Sequence, residues 1–260
     1  MSRVRSASRQ IWPRLAAIAG VVVVWEIVYR TGFFDPLVLP SPASVWSTLV
    51  HNIANGNLPR ATSASLVRLL IGFAISVGAG TAFGLLEVGS SLFERSFGSL
   101  VIGLQSLPSI AWLPLAILWF GLNERAVIFV VIIGSFPAVA LATVNGLRQV
   151  PPLLQRAGRT LGADGWRLYR HVVLPAAIPG YVGGLQQGWA FAWRSLMAGE
   201  LIVGGALGLG NLLNNSRQNL ETPLVIATMV VIVVIGIAVD LAVFSTLDHR
   251  IRARRGLITS

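Results

Sequence analysis

Long apolar runs alternate with short polar breaks along this chain, and the spacing of the breaks predicts six membrane helices. A helix needs about 20 apolar residues to cross a hydrocarbon core. Six stretches meet that need: 13–30, 66–87, 99–120, 126–144, 176–197 and 224–246, the first being the shortest. Four precede residue 145 and two follow residue 175; the segment 145–175 between them is too polar for lipid. Within it Leu153, Leu154, Ala157 and Leu161 recur at helical spacing, with Arg156 and Arg159 off that stripe. Gly162 stands where a helix takes a C-terminal glycine, and Asp164 can cap a second short helix from Gly165 to Val172. Pro175 opens the fifth span, at a position where a helix accepts proline. The segment is therefore expected to be two angled helices presenting a knob. Read from pattern alone, such a knob either docks a protein or rests on lipid headgroups.

Composition supports a bilayer. Charged residues make up 12% of the 260 and hydrophobic residues 54%, whereas soluble domains carry about 25% charged residues. The net charge of +10 does not point to nucleic acid, because all 20 basic residues are Arg and they lie chiefly in tails and loops. With the N-terminus inside, Arg3, Arg5, Arg9, Arg14, Arg95, Arg148, Arg156, Arg159, Arg167, Arg170, Arg250, Arg252, Arg254 and Arg255 face the cytoplasm. Only Arg30, Arg60, Arg68, Arg125, Arg194 and Arg217 lie on the outer side or at its span ends. The positive-inside rule then places both termini and the 145–175 loop in the cytoplasm. The apolar run from Leu15 to Val24 after four arginines mimics a secretory leader, but no small-x-small cleavage site follows, so a retained first span is expected. This gives a cytoplasmic tail 1–12, a membrane domain 13–247 and a basic cytoplasmic tail 248–260. Cysteine is absent, and His51, His171 and His249 lie outside the spans. No catalytic residue, metal or cofactor is expected.

The spans carry two kinds of polar signal. Gly72, Ser76, Gly80 and Gly84 recur every fourth residue, which lets another helix approach closely. Gln105, Ser109 and Trp112 fall on one face of span 99–120, which Pro108 and Pro114 interrupt, and Pro137 breaks the fourth span. Gln186 aligns with Trp189 and Trp193, and Gln187 with Arg194. Kinked helices with such stripes either line a solute pathway or hydrogen-bond to each other. A charge at a helix centre costs about 2.5–3.5 kcal/mol on insertion scales. Arg68 and Arg194, read as lying near outer ends, either attract an anion or snorkel to the interface. No acid or His sits at mid-span, which argues against a proton-coupled carrier. Outside, 31–65 holds Leu39-Pro40-Ser41-Pro42 and then either a surface helix over 45–53, ending near Asn55-Gly56-Asn57, or a plain linker. The outer loop 198–223, with Glu200, Gly208 and Gly210, is expected to form a re-entrant bend or gate.

Arg156-Ala157-Gly158-Arg159-Thr160-Leu161-Gly162-Ala163, followed by Val172-Val173-Leu174-Pro175, resembles the "EAA" loop of binding-protein-dependent ABC importer permeases. Leu39-Pro40-Ser41-Pro42, Pro114-Leu115-Ala116-Ile117-Leu118-Trp119-Phe120-Gly121, and Gly199-Glu200 with Gly208-Leu209-Gly210 are similar to the nitrate, aliphatic-sulfonate and taurine branch. The likeness runs from about residue 20 to 247, with its motifs in order. It implies an all-α type I importer permease of the inner membrane, with six membrane helices and a cytoplasmic coupling helix. It further implies a second permease copy, separate ABC ATPase subunits, an extracytoplasmic solute-binding protein, and a small anion as solute. The coupling residues it implies are Arg156, Ala157, Gly158, Arg159, Gly162, Asp164, Leu174 and Pro175. Gln105, Ser109, Trp112, Gln186, Gln187 and Trp193 are the pathway candidates, Glu200, Gly208 and Gly210 the outer gate, and Arg68 and Arg194 the anion attractors. Arg156 departs from the family, which often has Glu there. An ion-gradient carrier is the rival reading, and an intramembrane enzyme lacks the nucleophile or ligands it needs.

Overall fold

The computed structural model describes residues 2–203 and 207–254. Among them there is no strand. The helices are α1 (Ser2–Arg30), α2 (Pro42–Ala54), α3 (Asn57–Gly89), α4 (Ser91–Ser106), α5 (Leu113–Phe120), α6 (Glu124–Arg148), α7 (Pro152–Thr160), α8 (Gly165–Leu168), α9 (Leu174–Val203), α10 (Leu209–Gln218), α11 (Thr222–Val239) and α12 (Thr246–Arg254). A 3-10 turn, Ser109–Trp112, leads into α5. Wide π turns, Tyr169–Val173 and Asp240–Ser245, join α8 to α9 and α11 to α12. Two compact units divide the chain: residues 1–60 with 212–231, and residues 61–211 with 232–260.

In the smaller unit, the expected outer helix is present as α2. The Ser41 hydroxyl accepts the Ser44 N–H at 3.1 Å and Pro42 fills the first turn, so the Pro-Ser-Pro sequence acts as a helix start. Gly56, at φ +81°, ends it. Trp25 Nε1 donates to the Pro40 carbonyl at 3.0 Å and ties α1 to this start. The linker reading of 45–53 is set aside.

In the larger unit α6 is the axis. The small-residue stripe of α3 meets it at a constant offset. Methyl groups added at Gly72, Gly80 and Gly84 would come within 2.7, 2.9 and 2.6 Å of Val131, Val139 and Thr143. Ser135 Oγ donates to Ser76 Oγ at 2.8 Å on the same line. Both residue numbers rise together, so α3 and α6 run in the same direction. A second stripe was not anticipated: Gly180, Gly184 and Gly188 of α9 lie against Gly146, Ala142 and Val139, with numbers running oppositely. Thus α9 is antiparallel to α6 along most of its length. Lipid offers helices no hydrophobic drive to associate, so these close backbone contacts hold the bundle.

Parallel α3 and α6 require residues 90–123 to travel back across. Among the described residues, three helices are long and apolar enough to cross a membrane: Asn57–Gly89, Glu124–Arg148 and Thr222–Ser245. Ser91–Ser106 and Ser109–Phe120 form a fourth only as a pair, bent by 100°. The first and fifth expected spans do not meet that length-and-composition test, although α9 packs along α6 as a crossing helix would. Span 99–120 was expected as one kinked helix; it breaks instead. Pro108 bars the helical conformation from Leu107, which is extended at φ −81°, ψ 123°. Pro137 was expected to break the fourth span, yet α6 continues through it, its ring fully buried between neighbours. The expected loop 198–223 is largely helical: α9 persists to Val203 and α10 begins at Leu209. Gly204 and Gly205 of its glycine run lie outside the described residues.

Candidate functional site

The elbow between α6 and α9 folds as its sequence dictates. The Gly162 N–H donates to the Arg159 carbonyl at 2.9 Å and the Ala163 N–H to Gly158 at 3.0 Å, the paired bonds of a glycine C-cap, with Gly162 at φ +83°. Asp164 occupies the N-cap position of α8 in extended conformation, but its carboxylate makes no capping bond, contrary to expectation. Gly158 is buried where α7 crosses the next segment; a methyl there would stand 2.8 Å from Leu168. Leu147, Val150, Leu168, Val173 and Ala177 form a small core that anchors the elbow to the ends of α6 and α9. Arg148 pairs with Glu94 at 2.8 Å at that end. The apolar stripe of α7 does not join this core. Leu153 is 73% exposed, Leu161 87% and Trp166 70%, among exposed Arg156, Arg159, Arg167 and Arg170 in the same segment. Leu174 and Pro175 begin α9 and line an apolar cavity of about 370 Å³ with Thr81, Tyr181 and Arg170.

The expected pathway residues separate into two groups. Gln105 and Ser109 do not share a helix face, because the chain turns between them, yet both line a cavity of about 340 Å³ at the break, together with Gly134, Phe191 and Arg194. Ser195 Oγ donates to Ser109 Oγ at 2.8 Å. Trp112 is not in that cavity, and its Nε1 is buried without an acceptor among the described residues. Gln186 and Trp193 line a neighbouring cavity with Asp240, whose Oδ1 accepts the Gln186 amide at 2.6 Å. Gln187 is exposed and lines neither.

Arg68, expected to attract an anion or snorkel, and Glu200, expected at an outer gate, are ion-pair partners in the structure. Arg68 is 3% exposed and Glu200 fully buried. Arg68 donates from Nη1 to Glu200 at 2.8 Å and from Nη2 to Glu124 at 2.6 Å. Glu200 also accepts Ser65 Oγ at 2.8 Å and the Gly210 N–H at 2.9 Å, while Ser65 Oγ accepts the Leu209 N–H at 2.8 Å. Gly208 and Gly210 are glycine for room: a methyl on either would reach within 2.6 Å of Glu200. The cluster fastens the start of α10 to α3, α6 and α9. The roles of Ser65 and Glu124 were missed; two opposite charges in separate apolar helices were the available sign.

Residues 72–253 match the model of the family described as binding-protein-dependent transport system inner membrane component. The chain belongs to that family. This permease is 31% identical over 245 residues to an ABC transporter permease protein of Methanocaldococcus jannaschii, covering 91% of this chain and 90% of that one. It is 32% identical to the aliphatic sulfonates transport permease protein SsuC of Escherichia coli, over 86% of this chain and 84% of that one. To the taurine transport system permease protein TauC of the same organism it is 30% identical, over 90% and 86%. A riboflavin transport permease of Chloroflexus aurantiacus is equally similar, at 30% over 90% and 88%. Among solved structures, the MetNI methionine ABC transporter superposes with a TM-score of 0.64 at 20% identity, over 75% of this permease and 95% of that chain. The fold of an ABC importer permease follows from this kinship.

Proposed function

We propose that this permease is the membrane subunit of an ATP-driven importer, paired with a second copy of itself and moved by separate ATPase subunits. A binding protein on the outer side delivers the solute. The observation that carries the reading is the elbow: an amphipathic helix with its leucines uncovered, ringed by arginines and rigidly seated on the ends of α6 and α9. Such a surface fits a groove on a cytoplasmic protein, and a push on it passes into α9 without a flexible joint. Six crossings, with both termini inside, agree with the arginine bias. The solute is a small anion, in keeping with the sulfonate and taurine relatives.

The chain has no cysteine, so single-cysteine labelling needs no background removal. Cysteines placed at Arg159 and Arg167 are expected to react with impermeant maleimide in inside-out vesicles and not in intact cells. Labelling from outside intact cells would refute the topology and with it the coupling role. Gly162→Glu is expected to abolish uptake while the protein still inserts. No neighbour among the described residues lies within 4 Å of a methyl at that position, so the effect comes from the left-handed backbone, which costs a non-glycine residue about 1 kcal/mol or more. Normal uptake by that variant would remove the elbow from the mechanism.

A further inference from the structure

Arg194 lies far deeper than its sequence position suggested. Gly134 of α6 packs on Ser195 and Ser109, and with Arg194 it lines the cavity at the α4–α5 break. Ten residues separate Gly134 from the charged start of α6 at Glu124, and fourteen from its end at Arg148. At 1.5 Å per residue these are about 15 and 21 Å, which puts the cavity near the middle of a core about 30 Å thick. The guanidinium does not reach for the nearer end of α9. Its Nε donates to the Ala190 carbonyl at 3.1 Å, one turn back towards the N-terminus, and it lies 4.9 Å from the Phe191 ring centre. Among the described residues no carboxylate lies within salt-bridge distance of it. Arg194 also lines the adjoining cavity, which it shares with Asp240; that carboxylate is held by the Gln186 amide through Oδ1 and makes no salt bridge to Arg194. An exposed cation at this depth cannot face lipid cheaply; such residues face a wet pathway or a partner.

Around it the chemistry suits an anion. Non-helical backbone at membrane depth is tolerated where it lines a cavity, and Ser106 to Ser109 is that backbone. Ser109 Oγ accepts from Ser195, which leaves its own proton to donate. Gln105 adds an amide, while Leu104, Ile110 and Ile133 supply an apolar wall. We propose that this cavity is the mid-membrane resting site of the solute, a short aliphatic oxyanion. Two of its oxygens meet the Arg194 fork, Ser109 and Gln105 orient it, and its tail lies on the apolar wall. Guanidinium binds two oxygens at once, a geometry that ammonium cannot reproduce.

The inference rests on the importer reading and deepens it. The test is ATP-driven uptake of radiolabelled ethanesulfonate by the complete transporter in proteoliposomes. Arg194→Gln is expected to lower uptake at least tenfold. Arg194→Lys should keep a measurable part of it with a higher half-saturating concentration, and Ser109→Ala should lower uptake severalfold. Wild-type uptake by Arg194→Gln would overturn the resting site and leave the importer standing. A Lys variant with the wild-type half-saturating concentration would show that no two-oxygen fork is needed and would also overturn it. If the wild-type transporter accumulates riboflavin under ATP but no ethanesulfonate, the anion itself is wrong. If the wild type moves neither with ATP, the importer reading fails first.

Discussion

Arg68→Met is expected to be among the most destabilising single changes in this permease. The substitution keeps the apolar bulk of the stem but removes the counter-charge from Glu200, which has no access to solvent. The carboxylate would keep the Ser65 hydroxyl and the Gly210 N–H and lose its ion pair. Breaking a buried pair from one side costs about 3–5 kcal/mol, because an uncompensated charge stays behind. The lower end of that range applies here, since Arg68 Nε is itself buried without an acceptor among the described residues and the pair is not fully satisfied. Glu200→Gln should cost less: Arg68 would still hold Glu124, and an amide can accept from Ser65. The double variant, Arg68→Met with Glu200→Gln, should recover part of the loss, because no naked charge remains. Thermal unfolding of the detergent-solubilised protein, followed by size exclusion, checks the order. If Arg68→Met melts with the wild type, the cluster does not fasten α10.

That cluster also marks where the sequence stopped being readable. The elbow was legible almost residue by residue, because its determinants are local: a leucine stripe, a glycine at the cap, a proline at the next start. The α3 stripe was legible for the same reason, since a four-residue period announces a packing face whatever packs on it. What could not be read was the pairing of distant residues. Arg68 and Glu200 each looked like an end-of-helix charge with solvent or solute as partner; only the tertiary fold brings them within 2.8 Å. Arg194 was read as lying near the end of a span closing at residue 197, whereas α9 runs on to Val203 and its register is set against α6. The break at Pro108 was foreseen as a kink, but a face drawn through Gln105, Ser109 and Trp112 presumed a continuous helix. The cavity that does unite Gln105 and Ser109 owes its existence to the failure of that presumption.

Gly184→Val is expected to have a comparable effect by a different route. A methyl at Gly184 would overlap the Ala142 side chain and lie 2.9 Å from the Ala142 Cα. A flexible side chain could move aside; a backbone atom in the middle of α6 can do so only if the helices part. Overpacking a well-filled site costs about 1–3 kcal/mol and more when backbone must shift. Gly183→Val supplies the matched control, because nothing among the described residues lies within 4 Å of a methyl there. Both variants carry the same change in helix propensity, so their difference isolates the contact. Ala142→Gly, by clearing the opposing methyl, should restore part of the stability of Gly184→Val and be mildly unfavourable alone. The consequence for transport exceeds that for folding. The α6–α9 seam runs along α9 between the elbow at Leu174 and the cavity at Arg194, and it helps set their relative positions. A seam pried open by one side chain should uncouple the two even in molecules that still fold. Uptake by Gly184→Val is therefore expected to fall further than its melting temperature predicts, and equal losses in both would mean that the seam carries no motion.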